Sequence, residues 1–467
     1  MALMPFFYSC ATYNEQAAPY YHSMLEGKYE KASNQLDRTR LLKRDRNRLL
    51  YLLEKGKMEH LIGHYEHSNN YLNEADLLME NGRTTVRDVA VGNLVNPMMK
   101  TYQGEDFEKY MVHYYKALNY LQLGLPEEAI VEARRITLRS YAQDDQIRSS
   151  HKYVSDAFSH MLQGLVYERG GDINNAFIAY RNAVDLYLER KGSYYGVALP
   201  EQLKKDLLRT AWQMGFTGEV EKYERLLETK YVREESPAGG ELVVFWENGL
   251  APVKTEQNLL FSLHDRGEGN LVFVDRGGFY NIPFDPDRHY RGERDVLNHL
   301  SALRVVIPRY ETILPHFSGA MLSCNGAVYA LEPAQNVNNL AIANLQERML
   351  KELAQTLTRL AIKRLTEEIV EPDHDDKKGK DNKKKKDDDW QQALALGLKA
   401  FNIATEKADT RNWQSLPHTI YYTRIPLQPG ENKLSIELSG GGSKRAPQSI
   451  TVNGHGGLQF YSFCTIN

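Results

Sequence analysis

The stretch SHMLQGLVYERGGDINNAFIAYRNAVDLY, residues 159–187, constrains the fold more than any other part of this chain. Gly164 and Tyr167 sit at helical spacing on one segment, and Gly171-Asp172 supply a turn. Ala176, Tyr180 and Ala183 then recur on a second helical segment. Small side chains at 164 and 176 let two helices approach closely, the tyrosines fill the gaps beside them, and the glycine takes a turn conformation that costs other residues more. The same register runs through YYKALNYLQLGLPEEAIVEARRI with Ala117, Tyr120, Gly124, Ala129 and Ala133. Looser copies place Gly27 before Ala32 and Leu36, Gly56 before Leu61 and Tyr65, and Gly215 before Val220. A helical hairpin with one apolar face buries it only by stacking on its neighbours, so the pattern predicts a helical array with a concave face.

This pattern resembles the tetratricopeptide repeat (TPR). The resemblance implies an array over residues 18–235 whose concave side binds peptides or proteins. A groove filled by the chain's own C-terminal half is the alternative reading. The turn glycines at 27, 56, 124, 171 and 215 stand further apart than a strict 34-residue period over most of the array, so inserted helices or loops are expected. Residues 81–104 read as one such irregular insertion.

After REESPAGG the periodicity changes from helix to strand. GELVVFWENG, NLLFSLH, NLVFVDRGG, ALRVVIPRY and AVYALEP are short β-branched and aromatic runs punctuated by Gly and Pro. An amphipathic helix follows, with Ile342, Leu345, Met349, Leu353, Leu357, Leu360 and Leu365 in one stripe that would cover the sheet. Residues 372–389, PDHDDKKGKDNKKKKDDD, carry no apolar side chain and nearly balanced charge, as in a solvated disordered insert. A second helix is expected in WQQALALGLKAFNIATEKAD. Strands return in HTIYYTRIPLQ, LSIELSG, QSITVNG and LQFYSFCTIN, with a tight turn at Pro429-Gly430. The fold class expected is therefore α+β: a TPR-like array, then a smaller mixed α/β module over 236–467 with a strand-rich C-terminus.

The opening, MALMPFFYSCATYNEQ, has the outline of a bacterial lipoprotein signal, an apolar run with Ser9 directly before Cys10. It lacks a preceding Lys or Arg and is short for such a run. Residues 1–17 are read as a truncated leader and tether, with a lipid on Cys10 holding the chain at a membrane; an untethered N-terminus with an ordinary Cys10 is the alternative reading. Elsewhere no run of about twenty apolar residues predicts a membrane-spanning helix. A formal net charge of −3 gives no basic face for nucleic acid. Three cysteines, at 10, 324 and 464, are too few for a metal knuckle, though a Cys324–Cys464 bridge is conceivable.

Several longer stretches, among them YQGEDFEKYMVHYYKALNYLQLG, WENGLAPVKTE, LRVVIPRY, IANLQERMLKELAQTLTRLAIK and EKADTRNWQSLP, resemble a family of bacterial lipoproteins from Bacteroidetes and proteobacteria with TPR-like N-terminal halves. The resemblance runs from about residue 20 to the C-terminus. It implies a lipoprotein leader, and hence the anchor at Cys10, and brings no enzymatic activity.

Candidate sites are few. His60, His64 and His67 fall at helical spacing and could ligate zinc, or be ordinary surface histidines. Asp409, Arg411 and Trp413 precede Pro417; Arg411 could clamp an anion, or with Asp409 form an internal ion pair over Trp413. Glu105, Asp106 and Glu108 are expected to face Arg134 and Arg135. Glu247-Asn248-Gly249 reads as a turn, with Lys254 and Glu256 on the next strand. No phosphate-binding loop and no nucleophile–base signature occurs. The function expected is a non-enzymatic scaffold or assembly lipoprotein of the cell envelope, periplasm-facing and binding a protein partner in its groove. No cofactor, metal, nucleic acid or small-molecule substrate is expected. A cell-envelope enzyme and a cytoplasmic adaptor are the alternatives.

Overall fold

The computed structural model describes residues 13–80, 98, 100–146, 156–267, 270–285, 303–370, 407–440 and 446–466. Cys10, the insert 372–389, most of 81–104 and nearly all of the helix expected over 390–409 lie outside them.

The N-terminal half is a run of helical hairpins. They pair α1 (Tyr13–Leu25) with α2 (Tyr29–Leu36), and α3 (Arg48–Ile62) with α4 (Tyr65–Glu80). Next come α5 (Asp106–Gln122) with α6 (Pro126–Gln146), α7 (Ala157–Arg169) with α8 (Ile173–Glu189), and α9 (Glu201–Gln213) with α10 (Thr217–Leu226). Each hairpin turns at a glycine with positive φ: Gly27, Gly63, Gly124, Gly171 and Gly215, between +71° and +92°. A Cβ there would press on the following carbonyl, which is why glycine recurs at these turns. Gly56 is not one of them. It lies inside α3, where an added Cβ would meet Leu72 at 2.7 Å. Small residues occur both at helix contacts and at turns in this pattern, so spacing alone misplaced the α3–α4 turn by seven residues. Asp156 and Asp172 cap α7 and α8 through the Ser159 and Asn175 amides, both at 3.1 Å.

Among the described residues, the remainder forms three four-stranded sheets and a long helix, α11 (Val337–Val370); the class is α+β. A two-residue ladder between β1 (Ser193–Tyr194) and β2 (Val197–Ala198) joins α8 to α9. The central sheet has the order β10-β11-β3-β14, from Glu332–Asn336, Thr419–Pro426, Glu241–Asn248 and Leu458–Thr465. Only the β14–β3 pair in it is parallel. The second sheet, β13-β12-β8-β9, uses Gln448–Gly454, Gly430–Ser439, Gly319–Cys324 and Ala327–Ala330. The third, β6-β5-β4-β7, uses Asn281–Phe284, Leu271–Asp275, Val253–Asp265 and Leu303–Glu311. Strands β6 and β8 and the β1–β2 ladder have no counterpart in the sequence reading.

Strand β3, ELVVFWEN, is buried almost throughout. Leu242, Val244 and Trp246 join the second sheet in one apolar cluster with Leu322, Leu434 and Ile436. Val243 and Phe245 point the other way, into a core shared with the helices. That core continues into the third sheet through Phe261, Phe273 and Val305, beneath Leu345, Met349, Leu353 and Leu357 of α11. A continuous apolar run in a strand needs cover on both faces, and the helical array supplies one of them. Cys324 and Cys464 are both free thiols, so the conceivable bridge between them is not formed. Among the described residues no helix is long and apolar enough to cross a membrane.

Candidate functional site

The first helix of each hairpin, α1, α3, α5, α7 and α9, lines one side of the array, and the C-terminal module is seated there. On the strand side the contacts come from alternate residues of β3 and β11. Phe245 lies edge-on to Tyr114 of α5 and Phe158 of α7, with ring centroids 6.0 and 6.3 Å away. Trp413, wholly buried, lies 5.7 Å from Tyr115. The face expected to receive a partner is thus occupied by the chain's own sheet, which corrects the expectation of an open groove. Its tyrosines pack inward because a ring and a hydroxyl together suit a half-polar internal boundary.

Charged side chains are set into this boundary in pairs. Lys57 of α3 meets Glu247 of β3 and lies 4.2 Å from the centre of the Tyr115 ring. Arg424 of β11 reaches into the helices. It donates to Glu168 at 2.7 and 2.9 Å, to Asp206 at 3.0 Å and, through Nε, to Glu241 at 3.0 Å. Arg209 adds a second fork on Glu168, at 2.6 and 2.9 Å. Glu105, at the head of α5, holds both Lys254 of β4 and Arg348 of α11, the latter at 2.5 Å. Glu54 of α3 accepts from the hydroxyls of Tyr20 and Tyr21, at 2.6 and 2.7 Å, and from the Gln414 amide at 3.1 Å. Removing one partner of such a buried pair strands the other, at a cost of roughly 3–5 kcal/mol.

The carboxyls respond according to their neighbours. Burial raises Glu105, but Lys254 and Arg348 outweigh it and hold the group at about 2. Glu108, three residues on, is pushed up to about 7 by burial and by the Glu105 charge. Burial opposes Glu168 too, and Arg424 and Arg209 still keep it well below the usual carboxylate range. Burial keeps Asp206 and Glu54 raised despite their donors. Burial also lifts the Cys464 thiol to about 12, so it is not poised as a nucleophile. Each of these carboxyls already accepts from cations, hydroxyls or amides, and of those donors Lys254, Arg348, Arg424 and the Trp413 and Gln414 amides reach it from the C-terminal half.

The residues singled out in the sequence fall as follows. Ala117, Ala129, Ala176, Tyr180 and Ala183 are buried in the core, Tyr167 nearly so and Tyr120 partly. Gly164 lies against Tyr180, where an added Cβ would come within 2.3 Å of the ring. Gly124 and Gly171 are turn glycines. The guanidinium of Arg411 is fully buried. It grips Asp409 with two bonds of 2.8 and 2.6 Å, donates to Asn47 at 2.7 Å, and lies over the Tyr102 ring. The backbone amide of Trp413 donates to Glu108 at 2.8 Å. The expected pairing of Glu105 and Glu108 with Arg134 and Arg135 is not made. Arg135 instead bonds Asp76 at 2.6 Å, and Asp106 pairs with Lys109. Glu256 accepts from the Ala408 amide at 3.0 Å. The three histidines do not share a helix face, because α3 ends at Ile62 and Gly63 turns the chain. His60 is buried, bonded to Asn119 at 2.6 Å, and lowered to about 4 by burial and Lys57. His64 and His67 are exposed beyond the turn.

No protein-family model matches this chain, and no curated protein matches it. Among solved structures it is similar to the nearly identical TPR-like repeats of a Podosopora anserina protein described as a kinesin light chain. That match has 14% identity and a TM-score of 0.31 over 46% of this chain and 92% of the other. The apo form of RapI gives 12% and 0.33 over 46% and 52%. MamA from Desulfovibrio magneticus RS-1 gives 15% and 0.28 over 46% and 94%. These scores are too low to place the chain with any of the three.

Proposed function

We propose that this chain is a non-enzymatic scaffold or assembly protein of the bacterial cell envelope, tethered by a lipid on Cys10. It binds a protein partner through the open end of its array, since the inner face is taken. The observation that carries this reading is the last hairpin. Trp212, Phe216, Leu226 and Val232 are 40, 37, 51 and 72% exposed there, where a terminal repeat ordinarily turns a polar face to water. Arg233 lies over the Trp212 ring at 4.6 Å, an aromatic–guanidinium pairing of the kind that concentrates binding energy in protein interfaces. The pairing of the buried ionisable groups across the junction supports a non-catalytic role, because it gives them a structural task.

The test is capture from detergent-solubilised envelopes by the full chain and by a Trp212→Ser/Phe216→Ser variant. The wild type should retain a stoichiometric partner that the variant loses while staying monodisperse. A partner kept at wild-type yield by the variant refutes the docking end. Cys10→Ser should release the protein from the membrane fraction, and a wild type that is already soluble refutes the anchor.

A further inference from the structure

The turn between α3 and α4 brings Glu59, His64 and His67 together from two helices. One ligand atom from each lies within 4.8 Å of the others. We propose that these three residues form a binding site for a divalent transition-metal ion, zinc foremost.

Local structure puts them there. Glu59 lies in the last turn of α3, and Gly63 reverses the chain with φ +92°. The His64 carbonyl then accepts the first bond of α4, from the Ser68 amide at 2.9 Å. His67 follows three residues later in that first turn, so the two imidazoles are neighbours, with ring centroids 5.7 Å apart. The carboxylate of Glu59 is anchored from behind: Oε1 accepts from Ser33 Oγ at 2.8 Å, while Oε2 stands 3.0 Å from Nδ1 of His64. Tetrahedral zinc with bonds of about 2.0–2.2 Å to nitrogen and oxygen sets its ligand atoms roughly 3.3 Å apart. The Glu59–His64 edge is already close to that spacing, and His67 needs only rotation about its exposed side chain. The bond from Ser33 to Glu59 is the kind of outer support that orients a ligating carboxylate.

Two imidazoles and one carboxylate oxygen suit zinc, copper or nickel and not magnesium or calcium. Lys55, 3.7 Å from Oε1 of Glu59 and 2.9 Å from Asp37, sits on the far oxygen and leaves Oε2 for the ion. The negative end of α3 and the positive end of α4 meet at the turn and largely offset one another.

A second grouping, Asp76 with His113 and Glu132, is buried and already holds cations of its own. Lys116 lies 3.1 Å from Asp76 and 2.8 Å from Glu132, and Arg135 lies 2.6 Å from Asp76. An incoming ion would have to displace both, so the turn is the site.

The test uses the untagged full chain and zinc chloride in chelator-free buffer, followed by calorimetric titration. One equivalent should bind, with magnesium giving no heat. His64→Ala and His67→Ala should each weaken binding at least about tenfold. Both histidines are exposed, so without metal these variants should stay folded, His67→Ala melting as the wild type does and His64→Ala, which loses its contact with Glu59, a few degrees lower at most. Cobalt(II) provides a second readout, in visible bands of tetrahedral coordination that zinc abolishes. A wild type that takes up no zinc at micromolar concentration overturns the proposal. So does zinc binding, or a tetrahedral cobalt spectrum, that survives in the His64→Ala/His67→Ala double variant.

Discussion

Glu108 Oε2 accepts from the Tyr102 hydroxyl at 2.6 Å and the Glu105 amide at 2.9 Å, and Oε1 accepts from the Trp413 amide. These donors favour the ionised form, yet burial and the adjacent Glu105 charge prevail and set its pKa at about 7. An unfolded glutamate titrates near 4.5. Between those values the folded chain keeps a proton that the unfolded chain has released, so stability falls as pH rises through this window. Glu105 acts in the opposite sense at lower pH. Held at about 2, it contributes stability above 4.5 that is lost as pH falls towards 2. Glu108→Gln should therefore flatten the dependence of melting temperature on pH between 5 and 8. The wild type should lose stability on the order of 1–3 kcal/mol over that interval. Melts at pH 5 and pH 8 decide it: a variant with the full wild-type slope means the titrating group lies elsewhere. At this scale the sequence was least informative. Nothing in TIYYTRIP marks Arg424 as the residue that enters the helices, and nothing in LEKGKMEH marks Lys57 as buried.

The hairpin α7–α8 shows what is specified at the level of the element. Gly164 faces Tyr180, whose hydroxyl donates to Glu168 at 3.0 Å, so the ring is fixed at both ends and cannot slide away. Gly164→Ala would gain up to about 1 kcal/mol in helix propensity. Its Cβ would also stand 2.3 Å from the ring. Overpacking of this kind costs about 1–3 kcal/mol, so a net lowering of the melting temperature by several degrees is expected. Gly56→Ala should be destabilising in the same sense, since its Cβ would meet both Cγ and Cδ2 of the buried Leu72 at 2.7 Å. A Gly164→Ala variant as stable as the wild type would mean that the two helices do not need their close approach. The hairpins were legible because close packing demands small residues at fixed offsets, and the longer strands because they are apolar runs between Gly and Pro, whereas the short β1, β2 and β6 and the mixed GAMLSC of β8 carry no such run. The seven-residue ambiguity between a contact glycine and a turn glycine, Gly56 against Gly63, is beyond spacing, since both roles select the same amino acid.

For the whole molecule, the informative feature was one that spacing rules do not weigh: ELVVFWEN carries apolar residues at successive positions, whereas LSIEL alternates. A strand of the first kind has no solvent face, so something must cover each side, and the array is what covers Val243 and Phe245. Which helices do so depends on contacts between residues hundreds of positions apart, such as Glu54 with Gln414 or Asn47 with Arg411, and no local pattern encodes them. The consequence is that the array should not stand by itself. Cut after residue 235, it would turn Tyr114, Tyr115, Phe158 and Trp413's seat to water and leave Lys57, Glu168 and Asp206 without their strand-side partners. The exposed apolar surface would exceed what monomers tolerate. The full chain should therefore unfold in one calorimetric transition across the shared core. The isolated fragment 13–235 should bind a hydrophobic dye and melt broadly or aggregate. A monomeric fragment that melts sharply near the temperature of the full chain would show that the sheet merely rests on a finished array, and the groove would then be open to a partner after all.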